Sequence, residues 1–217
     1  MAPSKHFFER RAVRVAQDLL GMHLMRNVGR KTLVFMITET EAYEGPHDKA
    51  SHAHKGKTKR NEAMFGPPGR WYVYLCYGMH WMLNIVTGPA GYPGAVLIRG
   101  AVGDHDHNHN DNHNDDHNNN DNHDDNHDHD DNRRCYGYSY RYCLNGPGKL
   151  TKALKIDKKF NTLQALPKTG LWVEDRSEKR KNQDGKFKII KTSRIGVQYA
   201  GPVWARKKYR FVLEVRS

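Results

Sequence analysis

The sequence predicts a single α+β domain, a mixed or antiparallel β-sheet with flanking helices. Three observations lead there. Helical periodicity occurs near the N-terminus and again after Gly146, strand-like runs fill most of the remainder, and no internal repeat is present. At 217 residues the chain can hold one domain with a full core, or at most two small ones.

From Phe7 to Arg26, the residues Ala12, Val15, Ala16, Leu19 and Leu20 recur at helical spacing, and Gly21 offers a C-terminal stop; this predicts a helix. In residues 32–40, Leu33, Phe35 and Ile37 alternate with Val34, Met36 and Thr38, as in a strand covered on both faces. The same stretch runs on as ITETEAYEGPHDKASHA (residues 37–53), where the strand is expected to end in Glu39, Glu41, Tyr43 and Glu44, followed by Asp48 and His52. Residues 46–69, rich in Gly, Pro, Lys and His, read as a long basic loop. RWYVYLCYGMHWMLNIV (residues 70–86) predicts two strands around a tight turn at Gly78, and residues 95–102 another strand. GPGKLTKALKI (residues 146–156) opens with Pro147 and lines Leu150, Ala153 and Leu154 on one face, a second helix. GLWVE, KIIKTSRIGV and YRFVLEV then read as strands separated by loops.

Residues 104–132 contain only Asp, His and Asn. Such a segment cannot bury apolar surface, so it is expected to be a disordered low-complexity insert, with residues 1–103 and 133–217 forming one domain around it. Its His and Asp side chains are metal ligands by type, but nothing in the tract fixes a coordination geometry, and no metal site or cofactor is expected. The tract also hides part of the charge. The chain carries a formal +12; setting aside the tract's eleven aspartates leaves 36 basic against 13 acidic residues, or +23 over the other 188 positions. A body that basic attracts polyanions, because phosphate contacts release counterions. An anionic membrane surface would suit the charge as well. No apolar run approaches spanning length, and the N-terminus lacks the apolar core of a secretory signal. Three cysteines without a CxxC pair argue against a disulfide framework or a zinc knuckle.

Within this basic body the aromatic residues crowd one hairpin: Trp71, Tyr72, Tyr74, Tyr77 and Trp81. Core packing accounts for most aromatics, but Tyr77 and Met79 flank Gly78 at the turn, where a bulky side chain can wedge between base pairs. Glu41 is the candidate general base: a carboxylate can stabilise an oxocarbenium-like state and activate a water for attack at a sugar carbon. Tyr43 shares its side of the strand and offers a ring for a base to stack on. By residue chemistry alone, a nucleotide pocket and a solvated strand end are equally good readings of this stretch.

The order TETEAY, KASHA, TKRNEAMFGPPG, YVYLCYGMHWMLN, GAVLIRG, GPGKL and RIGV…WA…YRFV resembles the alkyladenine (3-methyladenine) DNA glycosylase family from Phe7 to Val215. The resemblance implies a curved sheet with a protruding hairpin that inserts into DNA, and a monofunctional base-excision enzyme. Such an enzyme flips an alkylated adenine, hypoxanthine or ethenoadenine from the duplex and hydrolyses its bond to deoxyribose, leaving an abasic site. It implies Glu41 as the base for water and Arg99 beside that water. Tyr43, His52 and Tyr74 would sandwich the extruded base, and Asn84 would crowd a guanine amino group. Tyr77 would fill the gap in the duplex with Met79 beside it.

Lys55, Lys57, Lys59, Arg60 and Lys149 are candidate contacts to the DNA backbone, whereas Asn61 reads as a loop brace and Glu39 and Glu44 as solvated or structural. Where the family runs a helical segment into a GPSKL-type motif, this chain has the Asp/His/Asn tract and RRCYGYSYRYCLN. A monomer acting on double-stranded DNA is expected, in the nucleus of a eukaryotic cell or otherwise in the cytoplasm with the nucleoid. The competing readings are a non-catalytic damaged-DNA binder and a metal-binding protein working through the tract.

Overall fold

A computed structural model describes residues 1–103, 134–135, 138–139, 142–176 and 187–215; the expected insert at 104–132 lies outside the described residues. Nine strands form one sheet: β1 (His23–Val28), β2 (Lys31–Glu44), β3 (Trp71–Cys76), β4 (His80–Thr87), β5 (Gly94–Gly103), β8 (Tyr142–Asn145), β9 (Leu171–Glu174), β10 (Phe187–Thr192) and β11 (Arg210–Val215). Between β5 and β8, β6 (Arg134–Cys135) and β7 (Tyr138–Ser139) pair with each other. Every strand pair among the described residues is antiparallel. Helices Ala12–Leu19 and Pro147–Ala153 pack on the sheet through Val15, Ala16, Leu19 and Leu150, which join Leu24, Ile37, Trp71, Leu83, Ile85 and Ile98 in the main core.

The first predicted helix is corrected. Lys5–Phe8 and Ala12–Leu19 are separate helices, and residues 23–26, which close the Phe7–Arg26 span, belong to β1. The break falls where expected: Leu20 is extended and Gly21 takes a positive φ of 76°. Beyond it, the chain pairs with β2 on one edge and β9 on the other and becomes a strand. The second correction is to the strand thought to end in carboxylates. It continues for fourteen residues to Glu44, so Glu39 and Glu41 sit in its interior and are buried. Thirdly, Cys143 is disulfide-bonded and Cys76 free; an odd count leaves room for one pair and one thiol.

The centre of the sheet is irregular, and this shapes the site. In the pairing of β2 with β5, Ile37 faces Ala101, Glu39 faces Gly100 and Thr40 faces Ile98, so Thr38 and Arg99 are each one residue too many. These opposed bulges lie where both central strands change outer neighbours: β2 leaves β1 for β11, and β5 leaves β4 for β8. A bulge bends the sheet and re-aims side chains. Here it turns Arg99 towards Glu39 and Glu41. Gly100 makes the arrangement possible, since a Cβ on it would meet the Glu39 Cβ at 3.1 Å.

Candidate active site

Glu39, Glu41 and Tyr43 alternate along β2 onto one face of the sheet. The Glu41 side chain is 0% exposed. Its Oε1 accepts the Ile195 N–H at 2.8 Å, its Oε2 accepts the Tyr43 hydroxyl at 2.9 Å, and Arg99 Nε stands 3.5 Å from Oε1. Burial pushes the Glu41 carboxyl above the ordinary value of 4.5, against the opposing pull of Arg99, the Ile195 N–H and the Tyr43 hydroxyl. Arg99 is anchored from the other side, its Nε donating to Glu39 Oε1 at 2.8 Å. Glu39 also accepts from Arg210. It is therefore structural and not solvated, a carboxylate that holds the arginine next to the candidate base.

Tyr43 opens onto a cleft of about 990 Å³. One wall is the hairpin β3–β4, the second the loop around His52, and the third the segment Ile195–Tyr199. His52 Nδ1 lies 3.0 Å from the Tyr72 hydroxyl, and its ring meets that of Tyr74 edge-on at 4.5 Å. Tyr72 and Tyr74 follow each other at 5.1 Å with planes 31° apart. Desolvation of the imidazole within the cleft, with the Arg60 charge adding to it, lowers the His52 pKa from its ordinary value, although the residue is exposed. Asn84 is buried and donates from Nδ2 to the Tyr72 and Met82 carbonyls, which fixes its amide at the cleft wall.

The hairpin turn carries Tyr77, 89% exposed, and Met79, 70% exposed. Tyr77 and Gly78 both have positive φ, as a type I′ turn requires. For a tyrosine this conformation costs on the order of 1–3 kcal/mol that a glycine would not incur, so local stability does not explain an aromatic there.

Lys55, Lys59 and Lys149 are exposed, and Lys57 is paired with Glu62 at 2.9 Å. Arg60 leans on the hairpin, donating to the Leu75 carbonyl and lying 5.7 Å over the Tyr74 ring while lining the cleft. Asn61 braces its loop, donating to the His52 and Gly56 carbonyls and accepting the Thr58 N–H. Glu44 accepts the Val13 N–H at the start of helix Ala12–Leu19, where a carboxylate offsets the unpaired amides. Among the described residues no group of three His, Cys, Asp or Glu is placed to hold a metal.

Two parts of the site escaped sequence reasoning. Buried Arg194 binds Asp48 with both terminal nitrogens, donates to the Ala42 carbonyl and lies 4.8 Å from the Tyr43 ring centroid. Tyr199, 70% exposed, ties the third wall to the His52 loop through the Ala50 carbonyl. The sequence signals were Asp48 in the stretch after the strand and the RIGV block that opens with Arg194; neither said that the two side chains would pair.

A slot of aromatic rings with a shielded carboxylate beside it suits chemistry on a bond next to a flat, ring-shaped group. The comparisons narrow this class. Residues 6–217 match the family model described as methylpurine-DNA glycosylase (MPG). Proteins carrying the name "Putative 3-methyladenine DNA glycosylase" are similar along nearly their whole length. The one from Methanocella arvoryzae is 37% identical over 91% of this chain and 85% of its own. That from Anaeromyxobacter sp. is 36% identical over 99% and 90%, and that from Clostridium perfringens 36% over 92% and 90%. The chain belongs to the methylpurine-DNA glycosylase family. It is a DNA glycosylase for alkylated bases, a hydrolase of N-glycosyl bonds in base-excision repair.

Proposed function

We propose that this glycosylase works as a monomer that extrudes one damaged purine from double-stranded DNA into the aromatic slot, cuts its N-glycosidic bond and leaves an abasic site. Alkylated adenine, hypoxanthine and ethenoadenine are the lesions it accepts. The observation that carries this reading is the position of Glu41, shielded behind Tyr43 and Arg99 at the end of a slot walled by His52, Tyr72 and Tyr74. A flat base between Tyr43 and the His52–Tyr74 wall would place its sugar carbon towards the carboxylate, whose negative charge favours the oxocarbenium-like state. If Tyr72 donates to His52 Nδ1, the neutral imidazole carries its proton on Nε2 and can donate to the base. The fixed Asn84 amide crowds an exocyclic amino group. Lys55, Lys57, Lys59, Arg60 and Lys149 supply the contact to phosphates.

The test incubates the protein with duplexes bearing one hypoxanthine or one ethenoadenine in the presence of EDTA, then cleaves abasic sites with alkali. Breaks at the lesion are expected; an uncut duplex of both kinds would refute the lesion range, and loss of product caused by EDTA would refute a metal-free mechanism. Tyr77→Ala is expected to weaken retention of the extruded base by at most a few kcal/mol, read from ethenoadenine fluorescence on binding. Unchanged affinity would remove Tyr77 from the wedge role.

The pH dependence follows from Glu41. As a base it must be ionised, and burial raises its pKa, so activity is lost on the acid side at a higher pH than for an ordinary carboxylate. The check is a single-turnover rate profile, whose acid inflection should lie above 4.5 and should vanish in Glu41→Gln.

A further inference from the structure

Building on this reading, we propose that residues 195–203 form a second DNA-contact rim of the cleft, where Tyr199 presses on the sugar–phosphate backbone of the strand whose base is extruded. Met1 apart, the large apolar and aromatic side chains among the described residues that are at least half exposed fall in two places. One is the hairpin tip, with Tyr77 and Met79; the other is this segment, with Ile195, Tyr199 and Val203. Tyr77, Ile195 and Tyr199 line the same cleft. A single exposed apolar residue needs no explanation, but two groups meeting at one cleft mark a contact surface. The basic excess of the body fits that surface to a polyanion, whose sugars offer apolar faces between the phosphates.

The chain itself turns Tyr199 outward. Gly196 and Gly201 take positive φ values of 72° and 80° on either side of a short 3₁₀ turn, Gln198–Ala200. Val197 and Ala200 are buried and pack with Ala50, Tyr43 and Trp204, and Tyr199 stays outside that cluster. Its hydroxyl donates to the Ala50 carbonyl at 2.9 Å, which fixes one end of the ring and leaves most of it in solvent. Loss of solvent raises the Tyr199 pKa and the Tyr77 hydroxyl adds to the rise, which puts the two phenols within electrostatic reach of each other. A base inside the cleft remains joined to its strand, so that strand must cross the mouth between the two rims. Tyr77 fills the gap left in the duplex, and Tyr199 meets the backbone from the other side. A ring already held at one end loses little further freedom on making that contact.

The experiment compares wild type, Tyr199→Phe and Tyr199→Ala on two duplexes of one sequence, one carrying a methylated purine and one undamaged. It reads the enzyme concentration that half-saturates single-turnover excision, and the affinity for the undamaged duplex by competition. Tyr199→Ala is expected to raise the half-saturating concentration by about 5- to 30-fold, as loss of an aromatic anchor does, and to weaken the undamaged competitor by less than about twofold. Tyr199→Phe keeps the ring and loses only the tie to Ala50, so it is expected to stay within about twofold of wild type. Three outcomes overturn the rim. Tyr199→Ala equal to wild type means that the ring touches no DNA. An equal loss on both duplexes means that the contact does not depend on an extruded base. Tyr199→Phe as weak as Tyr199→Ala means that the hydroxyl's tie to the His52 loop is all that matters. In each of these the wild type still excises, and the proposed function stands. A wild type that leaves the methylated purine in place overturns the function and the rim with it.

Discussion

Glu41→Gln is expected to lower single-turnover release of hypoxanthine by about 10²- to 10⁴-fold while leaving affinity for the lesion duplex within a few-fold of wild type. Hypoxanthine leaves as a neutral base, so activation of water is needed more than for a purine already made cationic by alkylation. The substitution conserves shape, and the amide oxygen can still accept the Ile195 N–H. What disappears, on the proposed mechanism, is the capacity to take a proton and to face the sugar carbon with negative charge. The variant should also fold well. Burial raises the pKa of Glu41 in the folded state, so its stabilising proton is held at low pH and lost as pH rises through that value; at neutral pH the ionised group opposes folding. A neutral glutamine should therefore melt no lower than wild type at pH 7, and any gap should close on acidification. Undiminished release by a well-folded Glu41→Gln would remove the carboxylate from the chemistry.

Much of this site was legible because its parts are neighbours in sequence. The alternation of Glu39, Glu41 and Tyr43 follows from the period of a strand, and Tyr77 beside Gly78 is where a two-strand pattern must turn. What was not legible is long-range. Arg194 and Asp48 are 146 positions apart, and Glu39 meets its two arginines at separations of 60 and 171. Local pattern does not say which arginine a buried carboxylate will find, which is why Glu39 could pass for a solvated residue. The paired bulge at Thr38 and Arg99 was hidden for a related reason, since neither strand alone shows that its partner carries the compensating extra residue. β1 was hidden for the same reason: the span expected to be helical ran to Arg26, and the residues after the Gly21 stop become a strand only through pairing with β2 and β9.

The second large effect should come from the pair that local pattern missed. Asp48→Ala or Arg194→Ala is expected to destabilise the fold by about 3–5 kcal/mol, because either change strands a buried charge. Both side chains are 0% exposed. Asp48 receives four hydrogen bonds, two from Arg194 and one each from the Glu44 and Ala50 N–H groups. Without the arginine, two backbone amides are left to hold a full negative charge. Without the aspartate, the guanidinium keeps the Ala42 carbonyl and the face of Tyr43. For a domain of this size the loss corresponds to roughly 6–20 °C in Tm, measured by thermal melting at constant pH. Because the two residues act on one interaction, the double alanine variant should lose less than the two single variants combined; strict additivity would show that they are not coupled. The effect should also reach activity. Arg194 precedes the residue whose N–H binds Glu41, packs on Tyr43, and through Asp48 fixes the loop that carries His52. At a temperature where it remains folded, Arg194→Ala should therefore excise more slowly than wild type even when saturated with lesion DNA, and wild-type excision would confine the pair to stability alone.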